Sequence, residues 1–433
     1  MKKNRLTTWI ITGMVLGLIT GYICHRYAAD AAQAKTIAGY FSIVTDIFLR
    51  LIKMIIAPLV FTTLVAGMAH SEPGSIGRVG LKAMSWFITA SLISLAIGLL
   101  FSNLFEPGRS LALALPDVNA STKLATGSLN LKDFLTHVFP RSFFEAMGNN
   151  EILQILVFSI FFGFALSSLK GNGPRVLVSA IEETANTMLK ITDYVMRFAP
   201  IGVFAAVAAA ITVQGLEVVL TYGKFLGSFF LALALLWVIL IAVGFLFLGR
   251  EVFRLMGLIK EPMIIAFSTA SSEASYPKTI EQLEKFGVSS KITGFVLPLG
   301  YSFNLDGSMV YQAFAVMFIA QAYGIEMSLS QQITILLVLM VSSKGMAGVS
   351  RASLVVVAAV LPMFNLPEAG LLLIMGVDQF LDMGRTATNV LGNSIATSVV
   401  AKWEEGKEPV ASGVPANEAY EEHEPVLARA ANS

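Results

Sequence analysis

The stretch Asp378-Gln379-Phe380-Leu381-Asp382-Met383-Gly384-Arg385-Thr386-Ala387-Thr388-Asn389-Val390-Leu391-Gly392-Asn393 decides how the chain is read. On a helix that turns ~100° per residue, Asp378, Asp382, Arg385, Thr386, Asn389 and Asn393 fall within an arc of about 100°. One face thus carries two carboxylates, a guanidinium, a hydroxyl and two amides. Apolar Ile374, Phe380, Val390 and Ile395 fall outside that arc. In hydrocarbon a single charge costs at least ~2.5–3.5 kcal/mol. Such groups must pair with one another, line a cavity, or both. The face suits a small zwitterion with an extra carboxylate. Arg385 can grip a carboxylate through two parallel N–H···O bonds, Asp382 can take an ammonium group, and Thr386 and Asn389 can add hydrogen bonds.

The rest of the chain supplies the hydrocarbon setting. Of 433 residues, 55% are hydrophobic and only 14% charged, and the mean hydropathy is +0.72. Soluble domains carry about 25% charge, so the composition reads as an integral membrane protein, and its long apolar runs read as the transmembrane helices of an all-α protein. A net charge of +1 offers no basic field for nucleic acid. The single cysteine, Cys24, excludes a disulfide framework and multi-cysteine metal sites. His25, His70, His137 and His423 are scattered, with no metal-ligand spacing.

Working towards the N-terminus, the basic head Met1-Lys2-Lys3-Asn4-Arg5 precedes an apolar run from Leu6 to Cys24. Ala32-Gln33-Ala34 mimics a cleavage site, but the run approaches the ~20 residues that span a bilayer. The expectation is a retained first helix with a cytoplasmic N-terminus. Further apolar segments run over about 41–68, 83–104, 152–167, 176–213 with a kink at Pro200, and 225–248. Asp46, Arg50 and Lys53 share one helical face and read as a shielded stripe in a protein interface. Residues 106–150 read as an exterior loop with short helices. Arg250, Arg254 and Lys260 follow the sixth span, on the side where the positive-inside rule expects them.

After Arg250 the apolar segments are interrupted by polar stretches: Ala266 to Ser275, Tyr301 to Ser308, and Ser342 to Ser350. Polar backbone at membrane depth survives only where protein or a water-filled cavity satisfies it, so re-entrant hairpins and broken helices are expected. The pairs Ser271-Ser272 and Ser342-Ser343 each precede an Asp-bearing segment, as a duplicated hairpin-plus-helix unit would produce. The break at Asn304 and Asp306 offers carbonyls and a carboxylate, the oxygen ligands of a cation. The polar stretch from Glu404 onward reads as a disordered cytoplasmic tail.

Asn304-Leu305-Asp306-Gly307-Ser308 and Leu381-Asp382-Met383-Gly384-Arg385-Thr386 with Asn389 resemble the motifs of the dicarboxylate/amino-acid:cation symporters. That family includes bacterial glutamate/aspartate symporters and animal excitatory amino-acid transporters. The resemblance implies eight transmembrane helices plus two re-entrant helical hairpins with inverted repeats, in a homotrimer in the inner membrane with both termini cytoplasmic. A scaffold (about 6–70 and 138–215) would hold a transport domain (about 78–104 and 222–403) that moves as an elevator, and a tail (404–433) would follow. Carried over by position, Arg385 would bind the substrate's side-chain carboxylate and Asp382 its amino group. Thr386, Asn389 and Ser308 would add hydrogen bonds, and Ser271, Ser272 and Gly348 would line the site from the hairpin tips. No organic cofactor is implied, only a co-transported cation.

Departures from the family pattern bear on that cation. Asn393 stands where sodium-coupled members have an aspartate, and around helix 3 only Thr89 is matched, with Trp86 and Ala90 differing. Glu273 replaces a small residue at the first hairpin tip. A neutral amide weakens a hard-cation site, so proton coupling is expected, with Glu273 as carrier in a dry tip and Asp378, Asp306 and Asn304 close to the coupling site. Residual sodium use would run through Asn304, Asp306, Ser302 and Ser343. Gln312 stands where animal members carry a protonatable glutamate, and Arg351 replaces a small residue at the second tip. The nearest rival is a C4-dicarboxylate symporter, whose members have serine where this chain has Asp382. An intramembrane aspartyl protease using Asp306 and Asp382 would need two carboxylates sharing a proton, which Arg385 one turn from Asp382 opposes. A passive channel would not need so dense a polar site.

Overall fold

The computed structural model describes residues 4–69, 75–109, 115, 136, 138–169, 172–216, 222–343 and 352–405. Among them every regular element is helical. The first three helices are α1 (Asn4–Tyr27), α2 (Ala31–Ala69) and α3 (Ser75–Phe105). Next come α4 (Phe143–Asn149), α5 (Ile152–Ser168), α6 (Asn172–Met196), α7 (Ala199–Gln214) and α8 (Gly223–Leu248). Then follow α9 (Glu251–Thr269), α10 (Ser272–Phe286), α11 (Ser290–Phe303) and α12 (Asp306–Ala322). The chain continues through α13 (Leu329–Ser342), α14 (Ala352–Val360) and α15 (Leu371–Met375) into α16 (Asp378–Glu405).

Four helices, α1, α2, α3 and α8, are long and apolar enough to cross a bilayer, and α6 with α7 qualify together as a pair bent by 52°. The bend falls at Arg197–Phe198, with Pro200 in the first turn of α7, where a missing N–H costs no helical hydrogen bond. The sequence placed this kink correctly but started the second span ten residues late. As a 39-residue helix, α2 reaches about 58 Å at 1.5 Å per residue, well beyond the ~30 Å hydrocarbon core. The helix tolerates Pro58, whose carbonyl accepts the Thr62 hydroxyl at 2.7 Å. The Asp46, Arg50, Lys53 stripe is not shielded within the chain: all three are exposed. The apolar face of α2 (Ile52, Ile55, Ile56, Leu59) takes the interior instead.

Packing sorts the helices into two groups. In one, α1 and α2 lie against α7, and α2 also against α5 and α6. In the other, α3, α8, α9, α10, α11, α12 and α16 pack on one another. Gly13, Gly17 and Gly21 form an i, i+4 stripe that brings α1 onto the α7 backbone; a Cβ on any of them would strike Pro200, Phe204 or Ala208. The groups meet where α2 touches α10 and α11, where α5 touches α11 and α6 touches α10, and where α9 touches α1 and α7.

Two features bound the second group. Asn304 and Leu305 leave helical geometry, with ψ of 68° and 61°, and so break α11 from α12. At the far end, α16 runs through Glu404, where a disordered tail was expected to begin. Glu404 is clasped by Arg78 (2.9 Å) and Lys82 (2.6 Å) of α3, and the Lys82 ammonium also caps the Trp403 carbonyl at 2.6 Å. The hydrogen bond from Lys82, reinforced by Arg78, holds the Glu404 carboxyl below its usual range. Trp403 stacks edge-on with Trp86 and Phe247 beside this clasp. Residues 406–433, the remainder of the expected tail, lie outside the described residues.

Candidate functional site

The polar face of α16 meets the α11/α12 break. Arg385 is 3% exposed and Asp378 1%. The Arg385 Nε donates to Asp382 Oδ1 at 2.8 Å and its Nη1 to Asp378 Oδ1 at 3.4 Å. The guanidinium carbon lies 4.4 Å from the ring centre of Tyr311, and the Tyr311 hydroxyl donates to Asp378 Oδ1 at 2.9 Å. Arg385 is therefore fixed on three sides, by two carboxylates and an aromatic face. Thr386 donates to Asp382 Oδ1 at 2.9 Å. Both bonds to Asp382 land on Oδ1, so Oδ2 is left without a hydrogen bond among the described residues, on a side chain 21% exposed.

One turn on, Asn389 closes the broken helix. Its Oδ1 accepts the backbone N–H groups of Gly307 (2.8 Å) and Ser308 (3.3 Å), and its Nδ2 donates to Ser308 Oγ at 3.2 Å. These are first-turn amides of α12, orphaned by the break at Leu305. The helices can approach this closely because Gly307 lies on the Arg385 backbone and Gly392 lies on the Asp306 carboxylate. A Cβ on either glycine would overlap them.

Below this lies an amide-carboxylate cluster. Asn304 Nδ2 donates to Asp306 Oδ2 and to Asn393 Oδ1, each at 3.1 Å. Ser94 of α3 reaches Asp306 Oδ1 at 3.4 Å. Asn304 Oδ1 is fully buried and has no partner among the described residues. Such an orphan acceptor beside a carboxylate is what a hard cation would satisfy. Ser302 is buried in the last turn of α11, and Ser343 is buried with its hydroxyl on the Met340 carbonyl at 3.0 Å.

Several expected residues sit elsewhere. Thr89 is exposed, with its hydroxyl turned back on the Ser85 carbonyl at 2.8 Å. The inward face of α3 carries Ser91 and Ser94, about 160–220° around the helix from Thr89. Glu273 is not in a dry tip: its side chain is 29% exposed and pairs with Lys53 of α2 at 3.4 Å. The backbone capping at that tip is done by Ser271, whose Oγ accepts Ala274 N–H at 3.2 Å. Ser272 contributes its carbonyl, which accepts the Tyr301 hydroxyl at 3.1 Å. Gly348 and Arg351, expected at the second tip, lie outside the described residues. Sequence reasoning missed Tyr311 and Ser94. Ser91, Ser94 and Gly98 recur at i, i+3 and i+7, a small-residue stripe that marks the packed face of α3.

The profile of the sodium:dicarboxylate symporter family matches residues 6–403. The proton/sodium-glutamate symport protein of Bacillus caldotenax is 39% identical over 411 residues, covering 93% of this chain and 96% of that protein. The proton/glutamate-aspartate symporter of Escherichia coli (strain K12) is 38% identical over 410 residues, 93% of each chain. The C4-dicarboxylate transport protein of Laribacter hongkongensis is 36% identical, over 93% of this chain and 91% of its own length.

Proposed function

The chain belongs to the sodium:dicarboxylate symporter family, and from that membership we propose a secondary active symporter that imports glutamate or aspartate across the bacterial inner membrane with protons as the coupling cation. The family is one of symporters, not of enzymes. The observation that carries the substrate assignment is the shared use of Asp382 Oδ1 by Arg385 and Thr386, with Oδ2 open. Asp382 Oδ2 takes the substrate ammonium, and Arg385 exchanges part of its internal pairing for the side-chain carboxylate. Asn389, Thr386, Ser308 and the tip residues Ser271, Ser272 and Gly348 complete the site. A C4-dicarboxylate would leave Asp382 facing another carboxylate, which is costly.

Coupling follows from charge. Asp306, Asp378 and Asp382 stand against the single guanidinium of Arg385. An anionic substrate adds to that excess, so it enters a weakly polar interior only with cations. Glu273 carries the proton in this reading. Ionised, it ties α10 to α2 through Lys53; protonated, it lets the hairpin go. Sodium is the second reading, favoured by the orphan Asn304 Oδ1 beside Asp306; Asn393, Ser302 and Ser343 would surround that ion.

The two packing groups support a scaffold of about 6–70 and 138–215 and a transport domain of about 78–104 and 222–403, moving as an elevator in a homotrimer with eight transmembrane helices and two hairpins. Calorimetric titration of the purified protein with glutamate, aspartate and succinate tests the site. Arg385→Ala is expected to abolish glutamate binding, and normal affinity in that variant would refute the assignment.

A further inference from the structure

A cavity of about 440 Å³ lies on the other side of α16 from the polar face, between α1, α8, α9 and α16. Its floor is Ala387 and Leu391, both buried. These positions fall about 140–180° around the helix from Asp382, so the cavity and the substrate site share a helix but no wall residue. Met14, Met256 and Met263 line its half-buried sides. Thioether side chains of this kind adapt to a flexible apolar guest. The volume falls within the ~300–1,000 Å³ of small-molecule pockets.

The cavity has one charged lining residue, Lys260, exposed at the rim. Among the described residues no carboxylate pairs with it. Lys260 lies at the middle of α9, about 14 Å along the helix from Glu251 at 1.5 Å per residue, and its long stem lets the ammonium snorkel out of the apolar chamber towards a polar group. Basic Arg250 and Arg254 mark the N-terminal end of α9. On the neighbouring helix α1, Trp9, Val15, Leu16 and Ile19 are exposed, and such an apolar face belongs against acyl chains.

We infer that this cavity is a binding site for an anionic phospholipid of the bilayer, with an acyl-chain segment on Ala387 and Leu391 and the headgroup phosphate on Lys260. An apolar body with one anionic head matches an apolar chamber whose charged lining residue, Lys260, has no carboxylate partner among the described residues. Met14 comes from the α1 group and the other walls from the group that holds the substrate site, so the lipid bridges the two.

Photolabelling tests this directly, and reads lipid rather than substrate, so its outcome is separate from that of the transport assignment. The full-length protein is reconstituted in phosphatidylcholine with phosphatidylglycerol bearing a diazirine on its acyl chain. Label is expected at Met256, Met263 or Leu391, and excess unlabelled phosphatidylglycerol should compete it away. Lys260→Gln should cut that label about fivefold, the worth of one basic group near a headgroup. Met256→Trp, which fills the chamber, should remove it. Equal labelling by a phosphatidylcholine probe, a preference for a diazirine-bearing oleate, label confined to the outer face of α1, or indifference to both variants would each overturn the assignment.

Discussion

The Arg385 guanidinium carbon lies 4.4 Å from the ring centre of Tyr311, and the hydroxyl of that same ring donates to Asp378, the second carboxylate on Arg385. One side chain of α12 thus sets both the height and the orientation of the guanidinium. Tyr311→Phe keeps the ring and removes the donor. A hydrogen bond to a charged group contributes about 1.5–3 kcal/mol, so glutamate affinity should fall roughly tenfold or more. Tyr311→Leu, which also removes the cation–π contact of ~2 kcal/mol, should fall further. Titration calorimetry on both variants checks the order; equal affinities would dissociate the ring from the site.

Asp382→Ser should weaken glutamate far more than succinate, because only glutamate carries the ammonium that Asp382 Oδ2 receives. Competition of labelled glutamate by each ligand measures the ratio. Equal losses for the two would take away the ammonium role.

Ser94 and Thr89 provide a paired test of the cation region. Ser94→Ala removes the α3 hydroxyl from Asp306 and should alter the cation dependence of uptake. Thr89→Ala removes a hydroxyl that only returns to its own helix and should leave uptake unchanged. The reverse pattern would restore Thr89 to the site.

That pair also shows what the sequence could and could not reveal. The face of α16 was legible because six polar groups on one helix can be placed by angle alone. The break at Asn304 was legible because polar backbone stands out in an apolar chain. The register of α3 was not: Thr89, Ser91 and Ser94 are similar residues a few positions apart, and only packing against α12 tells inward from outward. The partner of Glu273 was hidden for a related reason. Lys53 lies 220 residues earlier in the chain, and its approach to the hairpin tip depends on how the two helix groups meet.

The Glu404 clasp predicts a pH dependence of stability. Its carboxyl is held below the usual 4.5 in the folded protein, first by Lys82 and then by Arg78. A depressed folded-state pKa adds stability that is fully present above the unfolded-state value and lost as pH falls through the folded one. Glu404→Gln should therefore lower Tm in detergent at neutral pH, and the gap should close below about pH 4. A gap that persisted in acid would mean that the variant acts through helix packing instead.

The proposed activity is gradient-driven import of an acidic amino acid. Labelled glutamate uptake into proteoliposomes, with inward proton and inward sodium gradients imposed separately, measures it most directly. Uphill uptake is expected on the proton gradient alone, blocked by aspartate and not by succinate, and lost in Glu273→Gln with binding retained. Uptake that requires sodium, or that succinate blocks as well as aspartate, would contradict it.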